Sequence, residues 1–192
     1  MSNITIFGTG NMGTAIATVF AAGGHSIEHI DTDAQHKTIT GEIVVLAVPH
    51  AALADIVNTY GEQLASKIVV DLTNPVNFET FDGLVVPADS SAAAELAAQL
   101  PGARVLKAFN TTFAATLASG KVGENKTTVL VAGDDADAKA SLAAAISAGG
   151  TVDAIDAGSL KRARELEAFG FLQISLAAAE KISWTSGFAV VR

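Results

Sequence analysis

Short apolar runs alternate along this chain with longer stretches in which apolar residues recur every three or four positions. The short runs are rich in valine and isoleucine, which is typical of strands buried on both faces of a parallel sheet. The longer stretches are rich in alanine and leucine, as in helices that bury one face. The pattern predicts strands at residues 4–7, 26–30, 43–48, 67–72, 104–109, 127–132 and 152–155.

Helices are predicted after most of these strands, at residues 14–22, 51–64, 91–100, 136–148 and 159–181. Residues 32–42 and 78–90 are more polar, so we expect loops there, with one short extended piece at 83–86. Strand and helix alternate without a repeat or a linker. The sequence therefore predicts a single α/β domain over residues 1–192, with a doubly wound parallel sheet and a C-terminal helix.

A glycine-rich string joins the first predicted strand to the first predicted helix. In a strand-turn-helix context, Gly8 permits the tight turn, Gly10 lets a pyrophosphate approach the backbone, and Gly13 lets helix and strand pack closely. The N–H groups and positive dipole end of the helix favour phosphate. An ordinary turn without a ligand is the alternative. The spacing favours a Rossmann-type dinucleotide site made by Gly8, Thr9, Gly10, Asn11, Met12 and Gly13.

Asp31 stands at the end of the second predicted strand. In dinucleotide-binding folds, an acidic residue near this place accepts hydrogen bonds from the adenosine ribose hydroxyls. We therefore count Asp31, and the Thr32 that follows it, among the candidate cofactor-binding residues.

Composition narrows the function further. The chain has no cysteine, which excludes disulfides, thiolate metal sites and a cysteine nucleophile. Its net charge of −8 argues against a nucleic-acid partner. No apolar run reaches the roughly 18–20 residues that span a bilayer. The first predicted strand begins too early to leave room for a signal peptide. A cytoplasmic protein with no membrane partner is the expectation, and we predict no metal site.

Several further strings resemble a family of small reductases that includes the deazaflavin-dependent NADP oxidoreductases. The same domain forms the cytosolic part of membrane ferric reductases. The pairing of Asn-Pro after the fourth strand with Lys-Ala-Phe-Asn after the fifth is more specific than the glycine loop. The matching strings are residues 8–13, Ala47-Val48-Pro49-His50, Asp71-Leu72-Thr73-Asn74-Pro75, Lys107-Ala108-Phe109-Asn110-Thr111 and Asp156-Ala157-Gly158-Ser159-Leu160.

The resemblance implies hydride transfer between a nicotinamide and a second redox partner, a step that needs two rings held face to face. It implies that Thr9, Gly10, Asn11 and Met12 contact the pyrophosphate. It also implies that one group of residues flanks the ribose and ring and another lines the nicotinamide end. The first group is Val48, Pro49 and His50, and the second is Asn74, Pro75, Ala108, Phe109 and Asn110.

The identity of the cofactor is open at this point. NADP-using relatives tend to carry a small polar residue followed by arginine where this chain has Asp31 and Thr32. A carboxylate about 4 Å from a 2′-phosphate costs about 1 kcal/mol in water and about 4 kcal/mol in a partly buried setting. By this rule Asp31 favours NAD(H), whereas the resemblance favours NADP(H). His36 or Lys37 could supply the missing positive charge.

A few side chains have both a functional and an ordinary structural interpretation. His50 is a weak candidate for a proton donor near the ring, since a polar residue at a helix start is the commoner case. Lys107 interrupts an apolar strand, and it either faces the cofactor or points outward at the strand end. Trp184 and Phe188 are expected to serve in packing or at an interface. An apolar outer side of the last helix would indicate a homodimer.

Three functions fit these observations. The first is an NAD(P)-dependent oxidoreductase that passes hydride to or from a deazaflavin, a flavin or a similar redox partner. The second is a small carbonyl or imine reductase of the pyrroline-carboxylate or hydroxyacid type, whose relatives add a helical domain that this length does not accommodate. The third is a non-enzymatic dinucleotide sensor. An open cleft over the nicotinamide face distinguishes an enzyme, which requires one, from a sensor.

Overall fold

The computed structural model of the chain describes residues 1–31 and 37–191, which form a central sheet covered by helices. The strands are β1 Asn3–Phe7, β2 Ser26–Ile30, β3 Ile43–Leu46, β4 Ile68–Asp71, β5 Arg104–Lys107, β6 Lys121–Val122, β7 Asn125–Gly133 and β8 Val152–Gly158. The α-helices are α1 Asn11–Ala22, α2 Leu53–Leu64, α3 Ala92–Gln99, α4 Ala114–Ser119, α5 Ala136–Ser147 and α6 Ala163–Ala178. Short 3-10 helices, His50–Ala52 and Leu160–Arg162, precede α2 and α6.

The sheet has the topology of a doubly wound α/β fold. Strands β2, β1, β3, β4 and β5 lie side by side in that order and are parallel. The strand order reverses beside β1, and in open α/β sheets ligands bind at such a switch point, outside the carboxyl ends of the strands. The glycine-rich string follows β1 at this place.

The predicted parallel sheet changes direction beyond β5. Strand β7 runs antiparallel to β5, and β8 runs parallel to β7. The chain enters β7 through a short hairpin with β6, in which Gly123 has φ of +60°. A hairpin reverses the chain within a few residues, whereas a parallel strand needs a longer crossover.

Each face of the sheet buries its own apolar cluster. On β3, Ile43 and Val45 belong to one cluster, and Val44 and Leu46 belong to the other. The first cluster includes apolar residues of α1 and α5, and the second includes residues of α2 and α3. Because the side chains of a strand alternate between faces, a continuous apolar run fills both clusters.

The predicted elements agree with the observed ones, with differences at their ends. Strands β3 and β5 end two residues earlier than predicted, because the chain turns into the loops that carry the candidate site. The long helix predicted at 159–181 begins as a 3-10 turn and is α-helical only over α6. Helix α4 and the β6–β7 hairpin were not predicted, because both are too short to show a clear period. Among the described residues, no helix is both long and apolar enough to cross a membrane.

Candidate functional site

The glycine loop is held tightly at two of its three glycines. Gly8 has φ of +99°, and a Cβ there would collide with the carbonyl oxygen of Ala47. A Cβ at Gly13 would in turn collide with the carbonyl oxygen of Gly8. The N–H of Gly8 donates to the carbonyl of Ile30 at 2.9 Å, which ties the loop to the end of β2. Gly8 and Gly13 therefore serve the packing of β1, β3 and α1.

Gly10 is different, because it is exposed and a Cβ built on it meets no atom within 4 Å. It precedes α1 in an extended conformation, and its carbonyl accepts the Thr14 N–H at 2.9 Å. The first N–H groups of an α-helix have no partner within the helix. The open space at Gly10 and the start of α1 fit the pyrophosphate of a dinucleotide.

Asp31 lies beside this loop, exposed at the end of β2. The Nδ1 atom of His29 is 3.1 Å from the Gly8 carbonyl oxygen, a second link between β2 and the loop. This position suits contact with an adenosine ribose. Thr32 and His36 lie outside the described residues, so the structure places neither of them.

A cavity of about 700 Å³ opens next to the glycine loop. Asn11 and Met12 line it from the start of α1. Asn74 reaches it from the loop after β4, and Phe109 and Asn110 reach it from the loop after β5. The structure therefore brings together five predicted site residues from three separate parts of the chain.

Five further predicted site residues, which lie near the ends of β3, β4 and β5, are not among those that line this cavity. Pro49 is exposed and His50 is half-buried, and His50 opens the 3-10 helix before α2. The remaining three are buried close to the ends of β3, β4 and β5, and they are Val48, Pro75 and Ala108.

Asn74 and Asn110 form a reciprocal pair at the cavity. Asn74 Nδ2 donates to the Asn110 carbonyl oxygen, and Asn110 Nδ2 donates to Asn74 Oδ1, both at 2.9 Å. Asn110 Nδ2 also donates to the carbonyl of Leu166 at 2.8 Å. A Cβ at Gly170 would collide with Asn74 Oδ1, so that glycine lets α6 approach the pair.

These contacts fix which way the Asn110 amide points. Its nitrogen faces two acceptor oxygens, and the flipped amide would set oxygen against oxygen. The Oδ1 atom is buried and has no hydrogen-bond partner among the described residues. An unsatisfied buried acceptor costs about 1–3 kcal/mol. Asn110 therefore lines the cavity with a side chain whose acceptor no described group satisfies.

Phe109 carries an unusual backbone conformation between these groups. Its φ is +66°, although its side chain is bulky and fully buried. The ring packs edge-on against Phe20, with centroids 6.0 Å apart. Such a conformation is costly for a bulky residue and is concentrated at functional sites. Here it turns the chain so that Phe109 and Asn110 both reach the cavity.

Lys107 neither faces the cavity nor points outward, so both sequence-based interpretations of it are wrong. Its side chain is fully buried and contacts two fully buried carboxylates, Asp71 Oδ2 and Glu167 Oε1, both at 2.7 Å. It also donates to the carbonyl of Thr73 at 2.5 Å. A buried lysine needs such partners, because an isolated buried charge is very unfavourable.

The second carboxylate of this cluster is shared with a helix start. Glu167 accepts hydrogen bonds from the backbone N–H groups of Ala92 and Ala93, at 3.0 and 3.3 Å. A carboxylate at a helix N-terminus is favourable because of the helix dipole. The cluster of Asp71, Lys107 and Glu167 therefore joins β4, β5, α3 and α6.

Two aromatic residues of the cavity were missed by the sequence-based prediction. Phe113 precedes α4, and Trp184 follows α6; their ring centroids are 5.0 Å apart. Trp184 packs against Phe113 as expected, and in addition it lines the cavity and is 53% exposed. Phe188 does pack, against Phe169. The available signal was that Trp184 is the single tryptophan of the chain.

Comparison with known proteins gives relatives of the expected kind. No family model matches the chain. A solved structure from Arthrobacter sp. FB24, provisionally named an F420-dependent NADP-reductase, matches with a TM-score of 0.86 and 26% identity, over 100% of both chains. The reductive aminase from Aspergillus terreus, solved with NADPH and ethyl levulinate, matches with a TM-score of 0.64 and 19% identity, over 96% of this chain and 69% of that one. The second likeness shows the fold alone.

A curated relative adds a match in sequence. Metalloreductase STEAP3 from Rattus norvegicus is 38% identical over 107 residues, which are 56% of this chain. The match spans only 20% of the rat protein. The resemblance to deazaflavin-dependent NADP reductases and to part of a metalloreductase, predicted from the short strings, is thus confirmed.

Proposed function

We propose that this chain is an NADP(H)-dependent oxidoreductase whose second substrate is a deazaflavin, a flavin or a similar ring-bearing redox partner. The observation that carries the proposal is the cavity of about 700 Å³ that joins Asn11 and Met12 of the glycine loop to Asn74, Phe109 and Asn110. A dinucleotide sensor does not need such a space beside the nicotinamide end. An enzyme that holds two rings face to face does.

The chain's own groups supply binding and orientation. The start of α1 and the open space at Gly10 accommodate the pyrophosphate. The Asn110 Oδ1 atom accepts a hydrogen bond from an N–H such as that of a carboxamide, and the Asn74 contact keeps the amide in this orientation. NADP(H), when bound, supplies or accepts a hydride at C4 of the nicotinamide, and solvent supplies or takes up the accompanying proton.

The comparisons support the choice of cofactor and reaction class. The Arthrobacter protein, which matches this chain over its whole length, is provisionally named an F420-dependent NADP-reductase. This name agrees with the oxidoreductase class and with NADP(H) expected from the resemblance. Asp31 remains the argument for NAD(H), so we propose that its carboxylate contacts the ribose without facing a 2′-phosphate.

The carbonyl or imine reductase alternative has a counterpart in the reductive aminase, but that likeness is one of fold only. However, this chain covers only 69% of that protein's length, so about a third of the aminase has no counterpart here. The match covers only 20% of the rat metalloreductase, so we do not assign the activity of that whole protein to this chain.

Titration with NADPH and with NADH tests the proposal. We expect NADPH to bind at least tenfold more tightly, about 1.4 kcal/mol. Replacing Gly10 by valine should weaken NADPH binding at least tenfold, because the new side chain fills the space left for the pyrophosphate. Gly83→Ala is the control, since Gly83 also has open space around it but belongs neither to the glycine loop nor to the residues that line the cavity.

The outcomes separate the parts of the proposal. A protein that binds neither dinucleotide is not a nicotinamide-dependent enzyme. Tighter binding of NADH would assign Asp31 to recognition of an unphosphorylated ribose. Equal effects of the Gly10 and Gly83 substitutions would contradict the proposed pyrophosphate site.

A further inference from the structure

A segment without regular structure follows α6 and returns along it toward the cavity. Helix α6 ends with Glu180 in a left-handed conformation, at φ of +56°. The Lys181 N–H then donates to the carbonyl of Leu176 at 2.9 Å, which closes the helix end. This arrangement reverses the chain direction, so that residues 183–188 lie against α6.

The returning segment is anchored at two places on α6. Phe188 packs on Phe169, with ring centroids 5.0 Å apart. Between Trp184 and Phe188, Gly187 lies close enough to Gln173 that a Cβ would be 3.5 Å from its Nε2 atom. Residues 183–188 are therefore positioned by the helix.

A hydrogen-bonded turn presents Trp184 at the cavity. The Ser183 carbonyl accepts from the backbone N–H and the hydroxyl of Ser186, at 3.0 and 2.8 Å. The hydroxyl of Ser183 accepts from the Thr185 N–H at 3.2 Å. Trp184 projects from this turn toward Phe113, and both line the cavity with Ile174 of α6.

The exposure of the Trp184 indole distinguishes it from a tryptophan that is used only for packing. Phe113 is buried, whereas Trp184 is 53% exposed although it belongs to the cavity wall. A tryptophan used only for packing buries most of its large apolar surface. Here a broad part of the ring system is left open beside a mostly apolar space. Planar aromatic ligands stack on such surfaces, and small aliphatic ligands do not.

We propose that Trp184, supported by Phe113, is a specificity-determining residue that stacks on the planar ring of the second substrate. The inference rests on the proposed function, and it assigns the acceptor end of the cavity to residues 183–188. The Trp184 indole at this end favours aromatic acceptors of two or three fused rings over small carbonyl or imine compounds.

Trp184 is the single tryptophan of the chain, so its emission reports directly on this end of the cavity. With NADP⁺ present at saturation, riboflavin and 5-deazariboflavin serve as probes. We expect both to quench Trp184 emission in the wild-type protein. Binding to Trp184→Ala, followed by calorimetry, should be at least tenfold weaker. Trp184→Phe should retain affinity within about threefold of wild type, because it keeps an aromatic face.

Phe78→Ala is the matched control, since Phe78 is an exposed aromatic residue outside the cavity. NADPH affinity should be unchanged in all three variants, and steady-state KM should rise for 5-deazariboflavin only in Trp184→Ala. The inference is overturned if Trp184→Ala binds both probes as tightly as wild type, or if a wild-type protein that binds NADPH binds neither probe. If the wild-type protein does not bind NADPH at all, the proposed function itself is overturned.

Discussion

At the scale of single residues, the three glycines of the glycine loop have different structural roles. Gly8 and Gly13 are required by the protein itself, because a Cβ at either position collides with a backbone carbonyl. Gly10 has open space instead. A motif match alone does not separate these roles. The separation allows substitutions that test fold and ligand binding independently.

We predict that Gly13→Ala lowers the free energy of unfolding by about 1–3 kcal/mol, as for overpacking in a core. The reason is the collision with the Gly8 carbonyl oxygen, whose position is fixed by β1. Gly10→Ala should change stability by less than about 0.5 kcal/mol, since its φ of −70° suits any residue. Urea unfolding measures both variants. Equal losses would show that the loop is not packed as described.

A second prediction concerns the orientation of the Asn110 amide. Asn110→Asp replaces a donor with a carboxylate that faces Asn74 Oδ1 and the Leu166 carbonyl. The variant should be about 1–3 kcal/mol less stable at neutral pH. The deficit should shrink as the pH falls, because a protonated carboxyl regains a donor and its ionised form is the one disfavoured in the folded state.

Urea unfolding at pH 7 and pH 5, with wild-type protein measured in parallel, checks this prediction. A deficit that stays constant or grows toward pH 5 would show that Asn110 Nδ2 is not the group facing the two oxygens.

At the scale of secondary-structure elements, the buried cluster of Asp71, Lys107 and Glu167 connects strands β4 and β5 to helices α3 and α6. Two carboxylates and one ammonium carry a net negative charge, and the N-terminus of α3 offsets it through the Ala92 and Ala93 N–H groups. Replacing one member leaves the others buried without a full set of partners. The cluster thus fixes α6 relative to β4 and β5, and α6 carries Leu166 and Gly170 to the asparagine pair.

We predict that Lys107→Met destabilises the protein by about 3–5 kcal/mol, because two carboxylates then face each other inside the core. Lys126→Met is the control. Lys126 pairs with Asp153 at 2.9 Å, but both side chains are 42% exposed, so its loss should cost about 0–1 kcal/mol. Chemical denaturation of the two variants gives the comparison. Similar losses would mean that the buried cluster contributes no more than a surface ion pair.

At the scale of the whole molecule, ligand binding and stability are linked. If the glycine loop, the loops after β4 and β5 and α6 surround one ligand, binding stabilises elements from most of the chain. At a concentration of 100 times Kd, NADPH should add about 2.7 kcal/mol. For a chain of 192 residues this corresponds to a rise in Tm of about 5–10 °C.

A thermal melt with and without NADPH measures this rise. The Gly10→Val variant should show little or none of this rise in Tm, while Gly83→Ala should show the full effect.

A single domain over residues 1–192 and a homodimer stay predictions. The exposed apolar residues Leu172, Phe188, Val190 and Val191 near the C-terminus are where a dimer contact would be sought.

The sequence by itself determined the local parts of this protein. Valine-rich runs predict buried parallel strands, and alternation with helices predicts a doubly wound sheet, because burial and periodicity are local signals. The glycine string predicts a dinucleotide loop from its place between strand and helix. The resemblance identifies Asn74, Phe109 and Asn110, and the structure brings all three to one cavity.

Only the tertiary structure decided which of these residues meet and what surrounds them. Lys107 finds its partners 36 residues earlier and 60 residues later in the chain, on β4 and α6. The reversal at β7 and the approach of Trp184 to Phe113 likewise depend on contacts between distant segments. Hydrophobic periodicity carries no information on such pairings, because the same pattern is compatible with several arrangements of the elements.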